Sequence, residues 1–216
     1  MWGTECVSVI TFSLWFYGFF CNGYTSSVFH FLGAYYSFMV VHDASHRVAS
    51  RWWGRLSALP LGMSYDEFAI LHRRHHANVN DKRLDPDYTM QRLHPLCWLF
   101  APEIYLHYFL TRKIGLSLNQ RVGGGIRYLV IVGSYMVFSR THGVRWVLIH
   151  LVGPSRCALM LLVYLLDVLP HRNLSEGQTR NLWTEERAPY WLECLTQKQC
   201  YHAEHHRRPH IRTLEL

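Results

Sequence analysis

Tyr24-Thr-Ser-Ser-Val-Phe-His-Phe-Leu-Gly-Ala-Tyr-Tyr-Ser-Phe-Met-Val-Val41 is an uncharged, largely apolar run that passes without a break into His42-Asp-Ala-Ser-His46. That junction sets the reading of the whole chain: an apolar helix that delivers histidines at its end. Two further clusters follow, His72-Arg-Arg-His75-His76 and His202-Ala-Glu-His205-His206. Residues three and four apart share a helix face, so the first cluster offers two imidazoles side by side, and the others three each. Two, three and three make eight ring ligands, too many for one tetrahedral zinc. Imidazole suits iron, zinc, copper and nickel, and the clusters predict a centre of two metal ions.

Upstream of Tyr24, the stretch Cys6–Cys21 is also apolar and uncharged, slightly shorter than the ~20 residues that cross a bilayer. Asn22-Gly23 between the two runs is a turn signal, so together they form a helical hairpin with both ends on one side. The N-terminus lacks a basic region and a small-residue cleavage site, which reads as a first span rather than a removed signal. Further along, Leu56–Met63 is too short to span and is placed at the membrane interface. Pro95–Leu110, broken by Pro102, Glu103 and His107, reads as an interfacial or re-entrant helix. Gly123-Gly-Gly125 lacks the frame of a phosphate loop and is expected to be a hinge before the apolar stretch Ile126–Phe138. Arg140–Arg145 makes a polar turn. Trp146–Val168 is the strongest span, with a kink expected at Gly153-Pro154.

This second hairpin brings Leu169-Pro-His-Arg172 to the same side as the first cluster, which makes His171 a ninth candidate ligand. His30 and His150, inside the apolar runs, are read as packed structural histidines. Asp85-Pro-Asp87 is a turn whose carboxylates can accept a hydrogen bond from a ligand histidine. Asp43, Glu193 and Glu204 are further acidic candidates near the clusters, Glu204 being read as arginine-paired and turned away. The predicted architecture is all-α and integral to the membrane: two transmembrane helical hairpins with a cytosolic helical cap carrying the histidine site, in one domain over residues 1–216.

The formal net charge of +7 comes mostly from arginines beside the clusters, such as Arg47, Arg73, Arg74, Arg207 and Arg208. No nucleic-acid motif accompanies them, whereas basic residues next to membrane spans mark the cytoplasmic or stromal face. The six cysteines contain no CxxC pair and read as reduced thiols. A membrane metal transporter would also use spaced histidines, but at mid-span among polar residues, and these spans are nearly free of such residues.

Three clusters of this spacing and order, set between two hairpins, resemble the membrane fatty-acid desaturase and hydroxylase superfamily over roughly Phe31–Pro209. The wording around them, His42-Asp-Ala-Ser-His46, His75-His76-Ala-Asn-Val-Asn-Asp81, Asp85-Pro-Asp87 and Leu169-Pro-His-Arg172, is similar to the plant- and cyanobacterial-type β-carotene hydroxylases. The resemblance implies two irons held by His42, His46, His72, His75, His76, His202, His205 and His206, with His171 matching the family's additional histidine and no catalytic residue beyond the metal centre. It implies dioxygen as co-substrate and oxidation of a C–H bond on an apolar lipid: hydroxylation of a carotenoid ring first, acyl-lipid desaturation or carotenoid ketolation as alternatives. The chain carries no flavin, haem or iron–sulfur motif, so an external electron donor such as ferredoxin or cytochrome b5 is expected. Some relatives carry an asparagine where this chain has Asp167. Family members carry longer tails, so the chain is read as a fragment or a minimal version.

Overall fold

The chain reverses at Asn22-Gly23, where Gly23 takes a φ of +54°, a conformation glycine enters at no steric cost. In this computed structural model, which describes residues 3–111, 115–185 and 187–216, the regular elements of the described residues are all helical. Helix α1 (Thr4–Tyr17), extended by a 3₁₀ turn at Gly18–Phe20, runs back along α2 (Gly23–Ser45). The two come closest at Gly33, where a Cβ would stand 2.5 Å from the Cβ of Trp15. The first hairpin of the sequence reading is therefore present as a pair of helices.

Its packing is inverted relative to a water-soluble helix. Helix α1 turns Thr4, Ser8 and Thr11 inward, while Val9, Ile10 and Phe16 stay about half exposed. The buried hydroxyls find partners: Ser8 Oγ lies 2.8 Å from Ser57 Oγ, and Ser37 Oγ donates to Thr11 Oγ1 at 3.1 Å. Small polar residues between helices with apolar side chains outside are how helices pack in lipid. His30 is fully buried among the rings of Trp15, Phe19 and Trp146, with Ser26 Oγ 3.3 Å from its Nδ1. His150 Nδ1 lies 2.8 Å from Ser27 Oγ. Both histidines act in packing.

Ser50 caps α3 (Arg51–Ala58) by accepting from the Trp52 N–H. The turn that follows is tied into the fold. Leu61 and Met63 are buried in the main core with Ala34, Val41, Leu159 and Leu162. Helix α4 (Tyr65–Ala77) carries the second histidine cluster in its last turns. Asp85 caps the short α5 (Pro86–Met90). The broken apolar stretch after it becomes a 3₁₀ segment, Pro95–Phe100, and α6 (Ala101–Thr111). Glu103, which interrupts the apolar run, is paired with residues far along the chain: it accepts from Tyr128 Oη at 2.6 Å and pairs with Arg156 at 2.9 Å.

Helices α7 (Leu118–His142) and α8 (Val144–His171) form the second hairpin, joined at Gly143, whose φ is +86°. By length and composition both are able to cross a membrane, and α7 is almost wholly exposed along its apolar window. The expected hinge at Gly123-Gly-Gly125 is absent, because α7 runs through it without a break. A close approach explains the glycine instead: a Cβ on Gly124 would meet Phe109 Cε1 at 2.8 Å and Glu67 Oε1 at 3.0 Å. Helix α8 widens into π-helical turns at Val147–Val152 and Val163–Val168. Each widened turn lies just before a proline, Pro154 or Pro170. A proline removes one N–H and crowds the carbonyl four residues back, and a π-turn absorbs both. After residue 171 the chain is mostly irregular up to α9 (Tyr190–Leu195), then a 3₁₀ turn at Gln199–Tyr201 leads into α10 (His202–Arg207).

Candidate metal centre

Four helix ends meet at one place: the C-terminal turns of α2, α4 and α8, and the whole of α10. Their histidines fall into two sets. His42, His46, His72, His76 and His205 form the first, and His75, His171, His202 and His206 the second. Within each set one ligand atom per residue lies within 4.8 Å of all the others. All nine residues singled out in the sequence are brought together, with His42, His75, His171, His202 and His205 buried.

The three-histidine clusters are each divided between the sets. His72 and His76 lie four apart on α4 and face the first set. His75 sits about 100° round the helix from His76 and faces the second. On α10, His202 and His206 join the second set and His205 the first.

The Nε2 atoms meet nose to nose. His42 and His205 approach to 3.1 Å, His46 and His72 to 2.9 Å, and His76 and His205 to 3.1 Å. In the second set His171 and His202 approach to 2.8 Å, His202 and His206 to 3.0 Å, and His75 and His206 to 3.3 Å. Three rings have their far nitrogen placed to donate. His75 Nδ1 donates to Asp85 Oδ1 at 2.9 Å, with Asp87 Oδ2 at 3.3 Å. His202 Nδ1 donates to Gln199 Oε1 at 3.2 Å. His42 Nδ1 lies 3.3 Å from Thr213 Oγ1, which in turn donates to Asp43 Oδ1. A ring that donates from Nδ1 presents a bare Nε2 lone pair, the form that ligates metal. Lone pairs cannot satisfy one another, and the buried Nδ1 atoms of His171 and His205 have no partner among the described residues. A set of imidazoles so arranged fits cations, one among five nitrogens and one among four.

The electrostatics agree. Burial, reinforced by neighbouring rings, pulls His72, His76, His202, His205 and His206 below the usual imidazole value, and brings His46 down to about 2. These side chains are neutral and can ligate at neutral pH. His75 goes the other way: burial lowers it, but Asp87 and Asp85 outweigh that and push it up to about 9.

Of the remaining acidic candidates, Glu193 accepts from Tyr201 Oη and reaches no histidine, and Glu204 pairs with Arg207 and Arg208. Asp167 is linked back to the centre through Tyr105, whose hydroxyl lies 3.1 Å from Asp167 Oδ2 and 2.6 Å from Asp87 Oδ1. The sequence reading missed Gln199, Thr213 and Tyr105. Gln199 could have been found, since it precedes His202 by three residues and so shares its face. Thr213 and Tyr105 carry no such signal.

An apolar cleft opens beside the first set. Phe38, Met63, Phe68, Leu71, Leu106, Leu159, Leu162 and Val163 line it, with His72 in its wall. Phe68 stacks on the His72 ring with centroids 5.1 Å apart. Glu67, Asp87, Tyr105, Tyr128 and Asp167 add polar points to the same wall.

A helical scaffold that holds nine histidines in two facing sets, against an apolar cleft, defines a protein able to bind metal next to an apolar surface. The fatty acid desaturase family model matches residues 13–216, and the chain belongs to that family. Its membership makes it one of a group of membrane-bound oxidoreductases that modify lipids. Searches of curated proteins and of solved structures gave no match.

Proposed function

We propose that this chain is a di-iron, dioxygen-dependent oxidoreductase that acts on a C–H bond of an apolar lipid, with hydroxylation of a carotenoid ring as its first reading. The observation that carries it is the junction of the two histidine sets with the cleft, through His72 and Phe68. His42, His46, His72, His76 and His205 would hold one iron, and His75, His171, His202 and His206 the other. Bound there, the irons would supply the oxidising power that breaks an unactivated C–H bond, chemistry no side chain provides.

The chain's own part is placement. Phe38, Phe68, Leu159 and Leu162 shed water and hold an apolar chain or ring against His72. Asp85 and Gln199 keep the His75 and His202 rings turned with Nε2 inward. The exposed apolar sides of α1 and α7 support a cleft at membrane level, and the arginines near the clusters support a site that faces the cytoplasm or stroma. Ring wording separates the carotenoid reading from acyl-lipid desaturation only by resemblance. Expression in a host that accumulates β-carotene, with pigments and fatty acids profiled together, tests it. New hydroxylated carotenoid is expected; new acyl double bonds would replace this reading with the desaturase one.

Electrons would come from a separate acidic donor such as ferredoxin or cytochrome b5, docking on the face that carries Arg73, Arg74 and Arg207. Complementary charge mainly sets encounter rate and its salt dependence. Reversing these three charges should slow donor-limited turnover by roughly tenfold or more at low salt and flatten its salt dependence. An unchanged rate with unchanged salt dependence would refute the docking face.

A further inference from the structure

A second cavity, of about 930 Å³, opens between α5, the 3₁₀ segment Pro95–Phe100 and the chain that leaves α8. It shares no residue with the apolar cleft and contains none of the nine histidines. Lys82, Arg92 and Arg172 line it, and none of them has a carboxylate partner among the described residues. Other arginines do find one: Arg55 pairs with Asp66, Arg127 with Glu67 and Arg156 with Glu103. Glu176 is the single acid in the wall among the described residues, so positive charge is in surplus. Charges of one sign gathered in a recess raise the local concentration of the opposite ion. Arg92 is held at the wall, its guanidinium carbon 4.6 Å from the centre of the Tyr88 ring, which lines the same cavity.

The other part of the wall is apolar, with Leu93, Trp98 and Val168. Leu96 and Phe100, on either side of Trp98 in the 3₁₀ segment, are 62% and 60% exposed. Arg172 directly follows the last residue of α8, where that apolar helix ends. Cations therefore gather next to uncovered apolar side chains at the end of a span.

We propose that this cavity binds the phosphate headgroup of an anionic phospholipid, separate from any substrate in the apolar cleft. This rests on the reading of α7 and α8 as membrane spans. Arg92 and Arg172 take the phosphate, since a guanidinium matches its oxygens two at a time. The acyl chains run out over Leu96 and Phe100. Basic pockets beside spans recognise anionic headgroups in this way. A free phosphate ion uses the cations but leaves the apolar rim uncovered. A phosphatidylcholine brings a quaternary ammonium, which the surplus positive charge opposes.

Native mass spectrometry of the detergent-solubilised chain, mixed with equal amounts of phosphatidylglycerol and phosphatidylcholine of the same acyl chains, tests this. Phosphatidylglycerol is expected to be retained about tenfold or more in preference to phosphatidylcholine. The double variant Arg92→Gln/Arg172→Gln should lose nearly all of that preference. Arg51→Gln/Arg207→Gln removes as much charge outside the cavity and should keep it. If the cavity variant fails to fold, the wild-type comparison still decides the lipid preference. Equal retention of the two lipids, or retention of neither, overturns the proposal. So does a preference that survives in the cavity variant or falls equally in the control. Phosphatidylglycerol displaced by inorganic phosphate, but not by chloride at the same ionic strength, makes this a free-anion site and overturns the lipid assignment. The span reading is checked separately: a chain stripped from membranes by alkaline carbonate overturns it.

Discussion

His171→Ala is expected to lower the metal content of the purified protein from about two ions per chain to about one, and to abolish turnover. The second set holds four histidines, so losing His171 leaves three, fewer than a closed site needs. The first set holds five, and His205→Ala leaves four. That variant should retain close to two ions but bind one of them more weakly, by at least the roughly 10–100-fold that loss of a mere outer partner costs. His150→Ala removes a histidine that belongs to neither set and pairs with Ser27, and should leave metal content unchanged. Metal analysis of the three variants checks all of this. If His171→Ala and His150→Ala carry the same metal, the division into two sets is wrong.

Asp85→Ala should weaken metal uptake by about 10–100-fold and cost about 2–4 kcal/mol of stability, because it removes three acceptor contacts together. Asp85 Oδ1 takes His75 Nδ1 at 2.9 Å and the Asp87 N–H at 2.8 Å, and Oδ2 takes the Asn80 N–H at 2.7 Å. Asn80 in turn ties down the segment after α8 through Ser175 and Gln178, so the damage reaches beyond one ring.

The pH dependence follows from the same contact. In the metal-free protein Asp87 and Asp85, against the effect of burial, raise His75 to about 9, above its unfolded value near 6.5. The stability this contributes is full below about pH 6.5 and lost as pH rises through about 9. Metal must displace that proton from Nε2, so uptake strengthens with rising pH, by about tenfold per unit until pH 9. Asp85→Asn removes the charge and keeps one acceptor oxygen, enough for the Asp87 N–H or the Asn80 N–H but not both. It should recover only part of the stability and shift the onset of uptake to lower pH. Thermal melts and metal titrations across pH 6–9 read both effects, and an Asp85→Ala protein that takes up metal like the parent would refute this role.

Much of this site could be read before any coordinates. Histidines three and four apart at the ends of apolar runs had to share helix faces, and Asp85-Pro-Asp87 had to form a turn beside them. His171 was found only because two hairpins must return their ends to one side. The fold was less legible where apolar content was ambiguous. Gly123-Gly-Gly125 resembles a hinge in one dimension, but three-dimensional packing of Phe109 and Glu67 against Gly124 requires its lack of a side chain. Pro95–Leu110 looks broken by Glu103, whose partners Arg156 and Tyr128 lie 53 and 25 residues away.

By itself the sequence determined which imidazoles could act together on each helix, because helical periodicity is local. It also determined that more of them exist than one metal can use. Only the tertiary structure decided how they are shared out. Neighbours such as His75 and His76 point about 100° apart, so one cluster must serve two centres. Whether a ring meets α2 or α8 depends on how four helix ends converge, and that is fixed by packing between residues more than a hundred positions apart, such as His42 and His205.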